Sequence, residues 1–374
     1  MSISIFSIYN NKGGVGKTTL AFNVAAKIAI ENPRTQVLVI DMCPQANVSQ
    51  YLLGGGDKGY QENQDLQSQK SRRNVVGFFD WLLDGNSDFT SIKRTFKVNV
   101  NDHNSCITSN VFLIAGDSFL ESLSLALNYA VLNPANRFAW KQYMTSIRRL
   151  CLLEFDKDKF DKMIVFIDCN PSFSMYTQIS LVSSDFLVIP MMADYSSLEG
   201  LKGIMTLLYG KYSTSAGEKY AAKFVTFSSQ AKQFGLPLPK INRLIFNNYT
   251  VKEGVAKAYE ALKNELTAYC YKQYEESPEL FCSIKDNILS KENWEENYLS
   301  LVKDFHTSGK VSASIGIPLY KLPEKENYIM PNGEKVTVRR NRYEKSVENI
   351  EILSRQISDS SAVDLNIACD PDPS

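Results

Sequence analysis

The stretch Lys12-Gly13-Gly14-Val15-Gly16-Lys17-Thr18-Thr19 limits the fold of this chain more than any other. The apolar run before it (Ile3, Ile5, Phe6, Ile8) predicts a strand, and the alanine-rich apolar stretch after it, Leu20 to Ile30, predicts a buried helix. Strand, glycine loop, Lys-Thr and helix in this order form the phosphate-cradling P-loop arrangement. Without a Cβ the glycines let backbone N–H groups turn inward around phosphate oxygens. The helix N-terminus adds free donors and partial positive charge. In this arrangement Lys17 reaches the terminal phosphates and the Thr18 hydroxyl ligates the metal. The usual first glycine is replaced by Asn11, and Lys12 is an additional cation near the start of the loop.

Short apolar runs recur between helical stretches: Ile3–Tyr9, Val37–Ile40, Val111–Ile114, Met163–Ile167, Phe186–Ile189, Arg243–Phe246 and Ile315–Ile317. Near-continuous apolar character suits strands covered on both faces. Their alternation with helices predicts an α/β fold: a doubly wound, mostly parallel sheet flanked by helices, with helical insertions. The P-loop, Asp41 and Asp168 all directly follow predicted strands, where ligands sit in such sheets. We expect one domain over residues 1–355. Insertions fall near 54–110, whose polar part Asp57 to Arg73 reads as mobile, and near 252–308, which reads as helical. Residues 356–374 read as an acidic, disordered tail.

Composition narrows the function. Lysine plus arginine equal aspartate plus glutamate at 41 each, so no global charge draws the chain to nucleic acid, and any DNA contact needs a local basic face. The seven cysteines are scattered with no Cys-x-x-Cys pair, which argues against a zinc site or disulfide framework and for a reducing cytoplasm. His103 and His306 lie in no motif. The sequence opens without a signal-peptide pattern and has no run of about 18 apolar residues, so a membrane role is not expected.

Lys12 to Thr19 resembles the deviant Walker A motif of the ParA/MinD family of P-loop ATPases. Three further segments are similar to family motifs in the same order. Val37 to Asn47 resembles the second strand and switch I. Met163 to Asp168 with Cys169-Asn170-Pro171-Ser172 resembles the Walker B strand and switch II. Ser183 to Pro190 through Ser197-Leu198-Glu199-Gly200-Leu201 resembles the next strand and helix start. The resemblance implies an ATPase that binds ATP and Mg²⁺ with Gly13, Gly14, Val15, Gly16, Lys17, Thr18 and Thr19, with Thr18 and Asp168 on the metal side. It implies that Lys12 crosses to a partner's phosphates in an ATP-bound homodimer. Asn247 or Asn248 would bond the adenine edge, or the pair forms only a turn. Asp41 would orient a metal-bound water or hold the loop lysine, which places Lys12, Lys17 and Asp41 in the catalytic set.

Cys43 stands where the family carries a second switch I aspartate that positions the attacking water. A thiol is a poor hydrogen-bond partner for that task. Either ATP acts as a long-lived clamp that is hydrolysed slowly, or another carboxylate takes over. Arg339, Arg340, Arg342 and Lys345 form a basic cluster of the kind with which partition ATPases bind DNA non-specifically; Lys70, Arg72 and Arg73 form another. The resemblance thus implies a cytoplasmic, nucleoid-associated switch in plasmid or chromosome partitioning or cargo positioning, with a ParB-like adaptor. A nucleotide-clamped scaffold and a MinD-like membrane-positioning ATPase are the rival readings.

Overall fold

In the computed structural model the described residues run from 2 to 360, without positions 87, 134, 250–254, 283–287, 324–326, 331–332 and 339. The sheet comprises β1 (Ser2–Ile8), β2 (Thr35–Met42), β3 (Val98–Asn99), β4 (Val111–Ile114), β5 (Lys162–Cys169), β6 (Phe186–Met191), β7 (Lys240–Tyr249) and β8 (Leu299–Lys303). Their order is β3-β4-β2-β5-β1-β6-β7-β8, parallel except for β3. From β1 the chain builds outward through β2 and β4, returns to β5 beside β1, and then builds the other way. The strand order therefore reverses around β1, where doubly wound sheets bind ligands.

All eight residues of β2 are buried, as are the last seven of β5, because helices cover both faces. One core layer gathers Ile5, Leu38, Ile40, Val165 and Ile167, and the opposite layer gathers Phe6, Val37, Val39, Ile164 and Phe166. Alternate residues of each strand thus feed opposite layers. The helix α1 (Lys17–Glu31) lies in the second layer, where Ala21, Ala25, Ala26 and Ala29 allow close approach. It packs against the C-terminal helix Arg340–Ser360, to which Lys27 is joined through Glu351 at 2.7 Å.

Three expectations need correction. Ile315–Ile317 is not a strand: Ile315 ends the helix His306–Ile315, and Gly316 caps it with φ +63°. The outer strand is β8, inside the region read as helical. The polar stretch 57–73 contains the helix Gly56–Ser68, which buries Gly59, Asn63 and Leu66. Its entry is a backbone-to-backbone contact: a Cβ on Gly55 would lie 2.3 Å from the Gly316 nitrogen. Finally, the C-terminal helix runs on through Ser360, past the expected boundary at 355, and residues 361–374 lie outside the described ones.

In the 252–308 region Tyr274, Trp294 and Tyr298 are buried packing residues that meet Phe281 edge-on. Among the described residues no helix is long and apolar enough to cross a membrane.

Candidate nucleotide site

The loop after β1 turns with two glycines in the left-handed region, Gly14 at φ +75° and Gly16 at φ +87°. Cβ atoms at Gly13 and Gly14 would meet nothing within 4 Å, so the loop is open beside both residues. Gly16 has the opposite surroundings: a Cβ there would fall 1.9 Å from Asn247 Nδ2. That amide donates to the Val15 carbonyl at 3.0 Å and ties the end of β7 to the loop. Asn247 Oδ1 is buried without a hydrogen-bond partner among the described residues. The side chain of Asn248 lies outside the described ones.

Lys17, the first residue of α1, is 8% exposed and folds back over the loop. Its ammonium donates to the carbonyls of Asn10 and Lys12, both at 3.1 Å. Burial lowers its pKa, and the Asp168 charge is the largest influence opposing the shift. The ammonium thus sits on neutral acceptors beside an open cradle, where phosphate oxygens are far stronger partners.

Two carboxylates end adjacent strands, with Asp41 of β2 in register with Asp168 of β5. Their surroundings differ. Asp41 accepts from Ser49 N at 3.0 Å, Ser49 Oγ at 2.7 Å and Cys43 N at 3.1 Å. Ser49 Oγ in turn accepts from Gly116 N at 2.8 Å. Asp41 therefore anchors the loop 43–49 and the helix Asn47–Leu52 that follows. Asp168 is 1% exposed, and neither of its oxygens has a hydrogen-bond partner among the described residues. Burial first, and the Asp41 charge second, raise its pKa, while nearby Thr18 and Lys17 pull the other way. An unpartnered buried carboxylate beside a hydroxyl and an open phosphate cradle is the donor set a hard divalent cation needs. The residues present therefore fit magnesium, which Thr18 and Asp168 would hold.

This arrangement has a cost for the empty fold. A buried carboxylate left unsatisfied costs about 1–3 kcal/mol. Asp168→Asn is accordingly expected to raise the melting temperature of the nucleotide-free chain at pH 7 by roughly 1–4 °C. Because the folded-state pKa is raised, the penalty exists only above the ordinary aspartate pKa and should fade below about pH 4. Thermal unfolding of both proteins at pH 7 and pH 4 checks this; a lower melting temperature at pH 7 would contradict it.

Cys43 follows β2, partly exposed, with its thiol pushed up to about 12 by burial and then by the Asp41 charge. It stays a neutral thiol and offers no base.

Lys12 is engaged outside the loop. Its ammonium pairs with the Asp194 carboxylate, and its backbone N–H donates to Asn10 Oδ1 at 2.9 Å. Asp194 also N-caps the helix Tyr195–Tyr209, accepting from Ser197 N at 2.8 Å. The Asp-x-x-Ser start of that helix is legible as a cap, but its contact with Lys12 is tertiary and has no sequence signal.

The basic clusters divide. Arg72 is paired with Asp117 at 3.0 Å and lies over the Phe119 ring, and Arg73 donates to the Lys97 carbonyl at 2.6 Å. Arg72 thus ties the 54–110 insertion to the segment after β4, and Arg73 joins two parts of the insertion. Lys345 is exposed on the C-terminal helix; Arg339 and the side chains of Arg340 and Arg342 lie outside the described residues. Neighbouring Tyr343 is buried and donates to the Leu322 carbonyl at 3.2 Å.

A parallel sheet with a glycine loop at its reversal point, a loop lysine and two strand-end carboxylates defines a P-loop nucleotide-binding protein. Residues 3–213, more than half of the chain, match a family described as an AAA domain, and the chain belongs to that family as a ParA-type P-loop ATPase. It is 26% identical over 287 residues to the chromosome-partitioning ATPase Soj of Treponema pallidum, covering 69% of this chain and 95% of that one. It is 32% identical over 203 residues to an uncharacterized protein of Pseudomonas putida, 54% of this chain. That match spans 60% of the Pseudomonas protein, so the chain covers less than two-thirds of that relative's length. The fold is similar to that of pnob8 ParA, with a TM-score of 0.55, 15% identity, and coverage of 96% and 98% of the two chains. An ATP complex of Cyanothece McdA gives 0.54, 14%, 96% and 97%.

Proposed function

We propose that this chain is an ATP-dependent molecular switch of the ParA type. Two copies close face to face over two magnesium-ATP molecules, and each lends Lys12 to its neighbour's phosphates. The observation that carries this reading is the division of labour between the two loop lysines. Lys17 is buried on the loop carbonyls of Asn10 and Lys12, while Lys12 is drawn to Asp194, and a second cation in the same pocket would be repelled. Magnesium bound between Thr18 and Asp168 would neutralise phosphate charge. Lys17 and the loop N–H groups bind and orient the triphosphate, and Asn247 fixes the loop end that they form. Its free Oδ1 supports a role in selecting the adenine amino group.

The closed dimer binds DNA non-specifically through the C-terminal basic cluster and meets a ParB-like adaptor. The process is DNA partitioning or cargo positioning in the cytoplasm, on the nucleoid. In this reading particle mass doubles with magnesium-ATP, and only that form retains DNA. Retention falls steeply between about 50 and 200 mM salt. Equal retention without nucleotide would contradict it.

Hydrolysis is slow in this proposal. Asp41 is committed to Ser49 and Cys43 N, and Cys43 supplies no carboxylate to align water. Positioning of that kind contributes ~10²–10⁴ in rate. Cys43→Asp is therefore expected to speed single-turnover hydrolysis at least about tenfold. Equal rates in quenched-flow measurements would remove the argument. Slow turnover also keeps a second use of the same dimer open, as a nucleotide-clamped scaffold.

A further inference from the structure

We infer that Asp194 is a positioning residue that holds Lys12 within its own chain and so sets the concentration at which two copies close. The inference rests on the dimer reading above and adds a restraint to it.

The geometry is built around the helix Tyr195–Tyr209. Gly200 and Gly203 face the start of the loop: a Cβ on Gly200 would lie 2.8 Å from Asn11 Oδ1, and one on Gly203 2.6 Å from Asn11 Nδ2. The Asn11 side chain thus packs against the two glycines, and the helix N-terminus meets Lys12 through Asp194. There the two oxygens of Asp194 have separate tasks. Oδ1 caps the helix through Ser197 N at 2.8 Å and takes the Ser196 hydroxyl at 3.0 Å. Oδ2 takes the Lys12 ammonium. The Lys12 carbonyl is held as well, by Lys17 Nζ at 3.1 Å. Lys17 and Lys12 are thus coupled: when phosphate draws the Lys17 ammonium off the loop carbonyls, the backbone beneath Lys12 loses a restraint.

The pair can open. The side chains of Lys12 and Asp194 are 21% and 38% exposed, so solvent screens their attraction. A partner's triphosphate offers Lys12 a more highly charged acceptor in a site closed to water, where charge-assisted bonds are stronger. A screened pair is worth up to about fivefold in an equilibrium constant. A symmetric dimer opens two, so the restraint on dimerisation amounts to at most ~25-fold.

Asp194→Asn separates the two tasks, because asparagine caps helices as well as aspartate but does not pair with an ammonium. Two measurements test it. In the nucleotide-free chain, reductive methylation with labelled formaldehyde reads Lys12 directly. Its methyl signal is expected to move, and its labelling rate to rise, in Asp194→Asn but not in Asp194→Glu. With magnesium-ATP, sedimentation velocity is expected to give a dimer dissociation constant ~5–25-fold lower for Asp194→Asn. Identical Lys12 signals in wild type and Asp194→Asn would overturn the pairing. An unchanged or raised dissociation constant would overturn its restraining role. A wild-type chain that never dimerises with ATP would instead remove the dimer reading, while the Lys12 signals would still decide whether Asp194 holds it.

Discussion

Lys17→Ala is expected to weaken magnesium-ATP binding by ~10²-fold. The figure follows from two charge-assisted hydrogen bonds to phosphate, each worth about 1.5–3 kcal/mol, less what the ammonium gives up to reach them. What it gives up is small: two bonds to neutral carbonyls, of Asn10 and Lys12, at 3.1 Å. The same substitution removes a buried cation whose pKa burial lowers, so the fold should not suffer in proportion. Isothermal titration with a non-hydrolysable ATP analogue, alongside thermal unfolding, separates the two effects. A loss of affinity under fivefold would mean that the loop backbone alone carries the phosphates. A collapse of the nucleotide-free fold would mean that Lys17 is chiefly a structural plug. Nothing in its contacts favours that: both acceptors are loop carbonyls that water can also serve.

In the proposed nucleotide complex, binding energy would come from groups that the empty fold leaves without partners. Asp168 has buried oxygens without a bond among the described residues, and Asn247 has one buried acceptor in the same condition. The open side of Gly13 and Gly14 is the matching void. Each of these costs the empty chain some stability and supplies a ligand that brings the missing partner. By contrast, Asp41, Ser49 and Gly116 form a closed chain of hydrogen bonds. They fix the loop that carries Cys43.

Much of this was legible in the sequence because its signals were local. An apolar run, three glycines, Lys-Thr and an alanine-rich stretch dictate β1, the loop and α1 without help from the rest of the chain. Asp41 and Asp168 were placed correctly as strand-end residues by the apolar runs before them. Their opposite conditions were not legible, since Ser49, the partner that occupies Asp41, is eight residues further on and swings back only when the helix Asn47–Leu52 forms. The helix Gly56–Ser68 was missed because its buried stripe, Gly59, Asn63 and Leu66, has helical spacing but only one apolar member. Strand β8 was missed because its inward residues are Ser300 and Val302, and Ser300 bonds Gln356 of the C-terminal helix at 2.9 Å. Ile315 and Ile317 suggested a strand, whereas the residue between them decides the local structure: Gly316, at φ +63°, ends a helix. Lys12 stood out in the sequence as an extra loop cation, but Asp194, which pairs with it, lies 182 residues away.

Lys12 decides the central claim. It pairs with Asp194 rather than with the loop carbonyls that Lys17 holds, and in the proposed dimer a second copy would give it phosphates to bind. The direct measurement is the mass of the particle by sedimentation velocity, with and without magnesium-ATP, for wild type and Lys12→Ala. The expected result is a wild-type monomer that becomes a dimer on adding magnesium-ATP, and a Lys12→Ala chain that still binds ATP yet stays monomeric. A Lys12→Ala chain that dimerises as wild type does, or a wild-type chain that stays monomeric when saturated with ATP, would contradict it.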